Sequence, residues 1–215
     1  MKKILFTTLI LFSISALSHA QTDARAKAIL SAVSKKYSAY DIIKANFTYT
    51  IENPQSKLKQ TESGTLYAKS KANKYKIITS TQDMISDGKS QWTYLKQDKE
   101  VNLSDVDNSS NSINPARIFT IYEKGYKYVS MPDIKENSRI YNVIDLTPTT
   151  SGNNFFKIRL TIDKLNKQIY KAMIFDKNGS RYSYLIKSLL PVKISESIFS
   201  FNPQSYPGVE VVDLR

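Results

Sequence analysis

Residues 82–96 read QDMISDGKSQWTYLK, and this stretch decides the fold. Two runs of strand-forming residues flank Asp87-Gly88, a dipeptide that tolerates the positive φ angles of a tight hairpin turn. Asn178-Gly179 repeats this signal later in the chain. Because hairpins join antiparallel neighbours, the sequence predicts an antiparallel sheet.

The same alternation of apolar and polar residues between turn signals continues through most of the chain. A sheet of about a dozen strands usually curls or closes to protect its edges, so we expect a mainly β (α+β) protein built as a barrel or half-barrel. The predicted strands cover residues 45–53, 57–69, 73–79, 82–86, 90–96, 99–104, 126–130, 139–146, 155–163, 168–176, 180–188 and 194–201.

Two helices are expected besides the strands. The first is amphipathic: Thr22 or Asp23 can cap it, and its apolar residues recur at helical spacing. The second is short, with Pro115 at its first position and Glu123 at its end, before Gly125. We expect this second helix to be a displaceable lid, the alternative being a fixed plug of the core. The apolar stripe of the first helix consists of Ala26, Ile29, Leu30, Val33 and Tyr37.

The first twenty residues have the parts of a secretory signal peptide. Lys2 and Lys3 precede an apolar run over residues 4–17, and Ser18-His19-Ala20 forms a small-residue cleavage site. The apolar run is shorter than the ~20 residues that a membrane-spanning helix needs. We therefore expect cleavage after Ala20, and one exported domain over residues 21–215.

The residue inventory restricts the chemistry. The 215 residues include no cysteine and a single histidine, which is His19 in the predicted signal peptide. The mature chain would then lack the groups of Ser-His-Asp, Cys-His and zinc sites. No pair of carboxylates stands out for acid and base catalysis. We expect neither an enzyme nor a metal or cofactor.

The chain is strongly basic. Its 31 Lys and Arg against 19 Asp and Glu give a net charge of +12, which loss of Lys2 and Lys3 lowers to +10. Such a charge suits nucleic acid, an anionic membrane, an acidic protein or simply a soluble surface. Export disfavours nucleic acid, which leaves anionic head groups or acidic protein faces.

The predicted sheet carries more large apolar side chains than one helix of this length can cover. They form either an ordinary core closed by the first helix or a concave apolar cavity that takes a ligand. The candidate lining residues are Phe47, Tyr49, Tyr75, Ile77, Trp92, Tyr94, Ile118, Phe119, Ile158, Met173 and Phe175.

Six motifs follow one another along the chain: Ala45-Asn46-Phe47-Thr48, Gly64-Thr65-Leu66-Tyr67, Ile85 to Tyr94, Ser183 to Lys187, Phe199-Ser200-Phe201-Asn202-Pro203 and Gly208-Val209-Glu210-Val211. Their order and spacing resemble those of the periplasmic outer-membrane lipoprotein carrier family (LolA-like). The resemblance implies an unclosed antiparallel half-barrel, with the N-terminal helix and the lid helix covering its concave apolar face. It also implies a carrier that binds the acyl chains of lipoproteins and ferries them from the inner to the outer membrane.

The resemblance further implies an inner-membrane lipoprotein-releasing ABC transporter and an outer-membrane receptor as partners of a monomeric carrier. The best-known branch of the family has an Arg-Pro after the Gly-x-Leu-aromatic strand, where the Arg holds the helical lid. In this chain residues 68–75 read AKSKANKY, and Lys71 is the candidate for that role. Two alternatives remain, a periplasmic lipid or lipoprotein sensor that regulates envelope stress and a lipid-modifying enzyme.

Overall fold

The computed structural model describes residues 23–106 and 119–215. Within these ranges the chain forms one α-helix, α1 (Ala24–Ser38), and a single sheet. The predicted signal peptide lies outside the described residues. So do Ile118 and the first part of the predicted lid helix; its remainder is a turn at 119–120 and a 3-10 turn, Ile121–Glu123.

The sheet has twelve strands in the order β12-β6-β5-β4-β3-β2-β1-β11-β10-β9-β8-β7. Two antiparallel meanders, β1 to β6 and β7 to β11, are joined by the pairing of β1 with β11, and β12 adds in parallel to β6. Because β7 and β12 are opposite ends of this order, the barrel is unclosed, which confirms the predicted fold class. The strands are β1 (Ile42–Asn53), β2 (Leu58–Lys69), β3 (Lys74–Thr79), β4 (Gln82–Ser86), β5 (Ser90–Leu95), β6 (Glu100–Asp105), β7 (Tyr126–Glu136), β8 (Arg139–Pro148), β9 (Phe155–Asp163), β10 (Gln168–Asp176), β11 (Arg181–Val192) and β12 (Glu210–Asp213).

One predicted strand is wrong. Residues 194–201 contain a 3-10 turn, Glu196–Phe199, which begins where the Ser195 hydroxyl accepts a hydrogen bond from the Ser197 N–H. The alternation of apolar residues in this segment reflects packing onto the sheet rather than pairing with it. The last strand is instead β12, further along the chain.

Helix α1 forms as its sequence predicts. The Asp23 carboxylate caps it by accepting hydrogen bonds from the N–H groups of Arg25 (2.9 Å) and Ala26 (3.1 Å). Lys35 and Lys36 in its last turn suit the negative end of the helix dipole. The predicted apolar stripe is buried, except Ile29, which is partly buried.

The turn between β4 and β5 requires its glycine. The Asp87 carboxylate accepts hydrogen bonds from the N–H groups of Lys89 and Ser90, and Gly88 has a φ of +97°. A Cβ atom at Gly88 would lie 2.6 Å from the carbonyl oxygen of Ala72. Glycine therefore allows this turn to pack directly against the turn between β2 and β3.

The two faces of the sheet carry separate apolar clusters. We call the face that packs against α1 the inner face and the opposite one the outer face. On the outer face, the C-terminal segment 193–206 packs against β3 and β4 and places its rings on Trp92 and Tyr94 of β5, and Phe199 is its buried anchor. Glu196 in this segment pairs with Lys69 and with Lys74. The C-terminal segment is thus a second cover, on the side away from α1.

Candidate functional site

The inner face brings together many of the candidate lining residues. Phe47, Tyr75, Ile77 and Ile158 are buried in one apolar cluster with the buried face of α1, and Tyr49 packs against its margin. They meet because their strands are neighbours in register, for example Ile77 opposite Leu66. These residues therefore form one apolar cluster on the inner face.

The centre of this surface is filled. Phe119 is 0% exposed, and its ring lies edge-on to Tyr37 with the centroids 5.2 Å apart. The Tyr37 hydroxyl accepts a hydrogen bond from the N–H of Ile169 (2.8 Å), which ties α1 to β10. Tyr122 is buried beside them. In this state the inner face is a packed core closed by α1. This arrangement corresponds to the ordinary core of the sequence analysis and not to an open cavity.

The tyrosines of the inner face remain neutral at physiological pH. Burial raises the pKa of Tyr49 and of Tyr75 to about 12. Burial likewise raises the pKa of Tyr37, Tyr122 and Tyr184 above the ordinary phenol value. Uncharged rings among aliphatic side chains suit contact with hydrocarbon.

Polar contacts hold α1 at its margins. Asp23 accepts a hydrogen bond from the Ser130 N–H in β7 (2.6 Å), besides capping the helix. Arg25 pairs with Asp133 of the same strand. At the other end the Lys71 ammonium donates to the Ser38 carbonyl (3.0 Å). Lys71, the candidate for lid control, thus contacts the end of α1.

A cleft of about 270 Å³ opens between α1 and the edge of β8 and β9. A second cleft, of about 320 Å³, lies on the other side of the β9–β10 hairpin and includes Arg139, Tyr170 and Lys187. Ligand pockets commonly measure about 300–1,000 Å³, so the first cleft falls short of that range and needs α1 to move before it can bury a long chain. Its lining residues are Ala28, Ile29, Ala32, Val33, Asn142, Ile162, Asp163, Lys164 and Lys167.

Four candidate lining residues lie on the outer face instead. Trp92 pairs with Ile85, whereas Tyr75 pairs with Ser86, so Trp92 and Tyr75 point to opposite sides of the sheet. Trp92 stacks on Phe201 of the C-terminal segment, with centroids 6.1 Å apart. Tyr94 follows the same parity and contacts Tyr206. The structure therefore does not bring Trp92 and Tyr94 to the inner face.

Met173 and Phe175 also face outward. Their strand neighbour Ile174 belongs to the inner cluster, and alternation sends the residues on either side of it to the other face. The Phe175 ring contacts Phe156 and lies beneath the Lys157 ammonium, 4.3 Å from the ring centroid. Neither side chain joins the inner cluster.

The outward position of Trp92 gives a spectroscopic prediction. We expect the emission of this single tryptophan to stay unchanged while an acyl probe saturates the inner face, because Phe201 and not the ligand sets its surroundings. Fluorescence titration measures this directly. A blue shift that saturates with the probe would contradict the placement.

The Asp23 carboxylate gives a pH prediction. Hydrogen bonds from Ser130, and then from Ala26, lower the pKa of Asp23 from 3.8 to about 2. A pKa lowered by folding means that Asp23 stabilises the attachment of α1 fully above about pH 4 and loses that effect as the pH falls towards 2. We expect the protection of the α1 amides, measured as the intrinsic exchange rate at each pH divided by the observed rate, to fall across this window.

Matched variants separate this effect from general acid unfolding. Asp23→Asn retains a cap but loses the charge, so its α1 amides should exchange faster already at neutral pH. Asp213→Asn is the control, since the pKa of Asp213 is also lowered to about 2, but by Arg215 beyond β12. Equal exchange in α1 for wild type and Asp23→Asn would refute the prediction.

Sequence reasoning missed some residues of the inner face. Tyr182 and Tyr184 of β11 pack against the cluster, and Tyr126 and Tyr128 of β7 do so from the edge of the sheet. Each pair alternates with a polar residue, a pattern that places both tyrosines of the pair on the same face of their strand. The hydrogen bond between Asp23 and Ser130 could not be predicted from the sequence. The Asp23 carboxylate accepts it from the backbone N–H of Ser130, a group that every residue except proline has, and the two residues are distant in the chain.

Among residues 23–106 and 119–215, no group of three or more His, Cys, Asp or Glu side chains is arranged to hold a metal ion. Within the same ranges, no helix has both the length and the hydropathy needed to cross a membrane.

Comparison with known proteins assigns the family. The model of the outer membrane lipoprotein carrier protein LolA family matches residues 38–202. This chain belongs to that family. A relative named outer-membrane lipoprotein carrier protein, from Haemophilus influenzae, is 27% identical over 188 residues, covering 86% of this chain and 87% of the relative. The protein of the same name from a second strain of that species is 26% identical with the same coverage.

The fold is also similar to a solved structure. An uncharacterized conserved protein from Thermus thermophilus superposes with a TM-score of 0.55 at 13% identity, covering 88% of this chain and 99% of the other. At this identity the similarity concerns the fold alone. The family description is that of a carrier, which is the class expected from the sequence.

Proposed function

We propose that this protein is a periplasmic carrier that binds the acyl chains of lipoproteins at its inner face and ferries them from the inner to the outer membrane. The observation that carries the proposal is the apolar inner face beneath α1, a helix held at its margins by polar contacts. Membership of the LolA family supports it. The predicted signal peptide, cleaved after Ala20, accounts for export.

Burying an acyl chain can outweigh the cost of displacing α1 from the inner face. Displacing Leu30, Val33 and Tyr37 of α1 exposes three large buried side chains, at about 1.5–3 kcal/mol each. Burying a sixteen-carbon chain contributes about 12 kcal/mol, at ~0.8 kcal/mol per CH₂. One acyl chain therefore more than offsets the displacement of the helix, which costs about 5–9 kcal/mol for the three side chains together.

The proposal extends to partners. An inner-membrane lipoprotein-releasing ABC transporter would load the carrier, and an outer-membrane receptor would unload it. Both transfers need a route for the acyl chains past α1, and the cleft beside this helix is the nearest opening. The basic surface suits acidic faces on these partners.

A ligand comparison tests the function. We expect a triacylated lipopeptide to displace a fluorescent acyl probe from the protein, and the same peptide without acyl chains to leave the probe bound. The protein should be produced from the complete sequence in an exporting host, where intact mass also reports cleavage after Ala20. Equal competition by both peptides, or no binding of the probe, would refute the acyl-carrier proposal.

A further inference from the structure

The tip of the β9–β10 hairpin presents an apolar side chain to solvent. Leu165 is 88% exposed, more than any other large apolar side chain among the described residues. The turn is ordered by Asp163, whose carboxylate accepts hydrogen bonds from the N–H (2.8 Å) and the side-chain amide of Asn166. Lys36 of α1 donates to the Asn166 carbonyl (2.8 Å). These hydrogen bonds define the conformation of the turn, which holds Leu165 exposed to solvent.

Other apolar side chains lie next to this tip. Ile140, at the adjoining end of β8, is 47% exposed, and its carbonyl accepts a hydrogen bond from the Lys164 N–H (3.0 Å). Ala28 and Ala32 of α1 line the cleft that Lys164 and Lys167 close on the other side. We call Ala28, Ala32, Ile140 and Leu165 the cleft rim.

Positive charge surrounds the cleft rim. Lys135 lies opposite Ile140 in the β7–β8 pairing, and Lys164 and Lys167 flank Leu165. The acidic groups nearby are matched by cations: Asp133 pairs with Arg25 and Lys164, and Asp163 with Arg139. Glu136 lies opposite Arg139 at the end of the same hairpin. Lys135 and Lys167 therefore leave this end of the molecule with an excess of positive charge.

We propose that the cleft rim docks on the surface of an anionic lipid bilayer, with Leu165 entering the interfacial region and the lysines contacting the head groups. An exposed apolar tip flanked by lysines is the combination that binds such a surface, because apolar burial and attraction to anionic lipid add. Charge complementarity thus favours an anionic lipid surface over a neutral one. The proposal rests on the proposed function, since docking here would bring the mouth of the cleft to the membrane.

The proposal is tested by vesicle binding, with the protein produced from the complete sequence in an exporting host. We expect sedimentation with phosphatidylcholine vesicles that contain phosphatidylglycerol, weaker binding at high salt, and little binding to phosphatidylcholine alone. Leu165→Glu should weaken binding at least about tenfold, and Lys135→Gln/Lys167→Gln should weaken it by about fivefold per lysine and flatten its salt dependence. Circular dichroism and thermal melting check that each variant is folded.

A matched leucine provides the control. Leu58 lies between Lys57 and Lys59 in the β1–β2 hairpin and is also exposed. This hairpin and the β9–β10 turn lie at opposite ends of the strands. Leu58→Glu should bind vesicles as wild type does. Equal losses for Leu58→Glu and Leu165→Glu, no loss for Leu165→Glu, or no binding of the wild type to anionic vesicles would overturn the docking proposal. Binding to an acidic protein without binding to vesicles would overturn it too.

A vesicle-free assay separates this proposal from the proposed function. Leu165→Glu should bind a soluble acyl probe like wild type, because Leu165 lies outside the inner cluster. If the wild type binds the probe but no vesicle, docking is refuted and the carrier function stands. If it binds anionic vesicles but no probe, the carrier function is refuted and the docking surface stands.

Discussion

Phe119→Ala is expected to lower the free energy of unfolding by about 3–5 kcal/mol, the cost of truncating a core phenylalanine. Phe119 is fully buried against Tyr37 in the inner cluster, so its removal leaves a void there. The same void should admit an acyl chain more easily, since less protein must be displaced. We therefore expect the affinity for an acyl probe to rise about tenfold. Denaturant unfolding and probe titration measure the two effects.

The pair of measurements distinguishes a displaceable cover from a fixed plug. A fixed plug predicts the loss of stability with unchanged binding by the folded protein. A loss of about 3–5 kcal/mol together with tighter binding identifies a well-packed side chain that the acyl chain nevertheless displaces. A much smaller loss with altered binding identifies a lid of low local stability. Phe156→Ala is the control: this ring is half exposed on β9, so its truncation should change stability by no more than about 0.5 kcal/mol.

Phe199→Ala is expected to destabilise the protein by a similar amount, about 3–5 kcal/mol, without changing acyl binding. Phe199 is 1% exposed in the outer cluster, where it anchors the C-terminal segment over β3 and β4. Loosening this segment should also expose Trp92 through its partner Phe201. We expect a red-shifted emission in the native state, measured alongside denaturant unfolding.

A conservative substitution isolates the packing effect at this position. Phe199→Leu keeps an apolar side chain and should cost less than about 1.5 kcal/mol, with emission near that of wild type. Acyl binding should be unchanged in both variants. A tenfold loss of acyl affinity in folded Phe199→Ala would show that the outer cluster belongs to the binding site, contrary to its place on the far face.

Strand alternation predicted the antiparallel half-barrel but not which face each residue occupies. Phe47 and Trp92 lie in convincing strands, and periodicity assigns each of them only a side relative to its own neighbours. The side of one strand relative to another depends on pairing register. A cover on each face, α1 inside and the segment 193–206 outside, makes both sides apolar. Sequence hydrophobicity therefore could not separate the two clusters.

Local irregularities of the sheet also changed which face some residues occupy and which segments form strands. Phe156 is the extra residue of a bulge in β9, because Phe175 of β10 pairs with Lys157 and Asp176 pairs with Phe155. Phe155 is therefore buried in the inner cluster, and Phe156 is half exposed. Simple alternation along β9 would place Phe156 on the same face as Ile158. The parallel strand β12 was also hidden, because its four residues acquire strand geometry by pairing with β6, more than a hundred residues earlier in the chain.

The contacts that hold α1 are unevenly divided between the two meanders. Asp23 and Arg25 bind β7, and Lys36 binds the β9–β10 turn, whereas Lys71 reaches Ser38 from the β2–β3 turn. If the meanders swing apart about the β1–β11 seam, the helix travels with the second meander and the Lys71 bond is the one that breaks. Such a hinge would enlarge the inner volume while α1 and the β9–β10 hairpin move as one rigid body. The surface turned towards a membrane would then keep its shape as the space behind it grows.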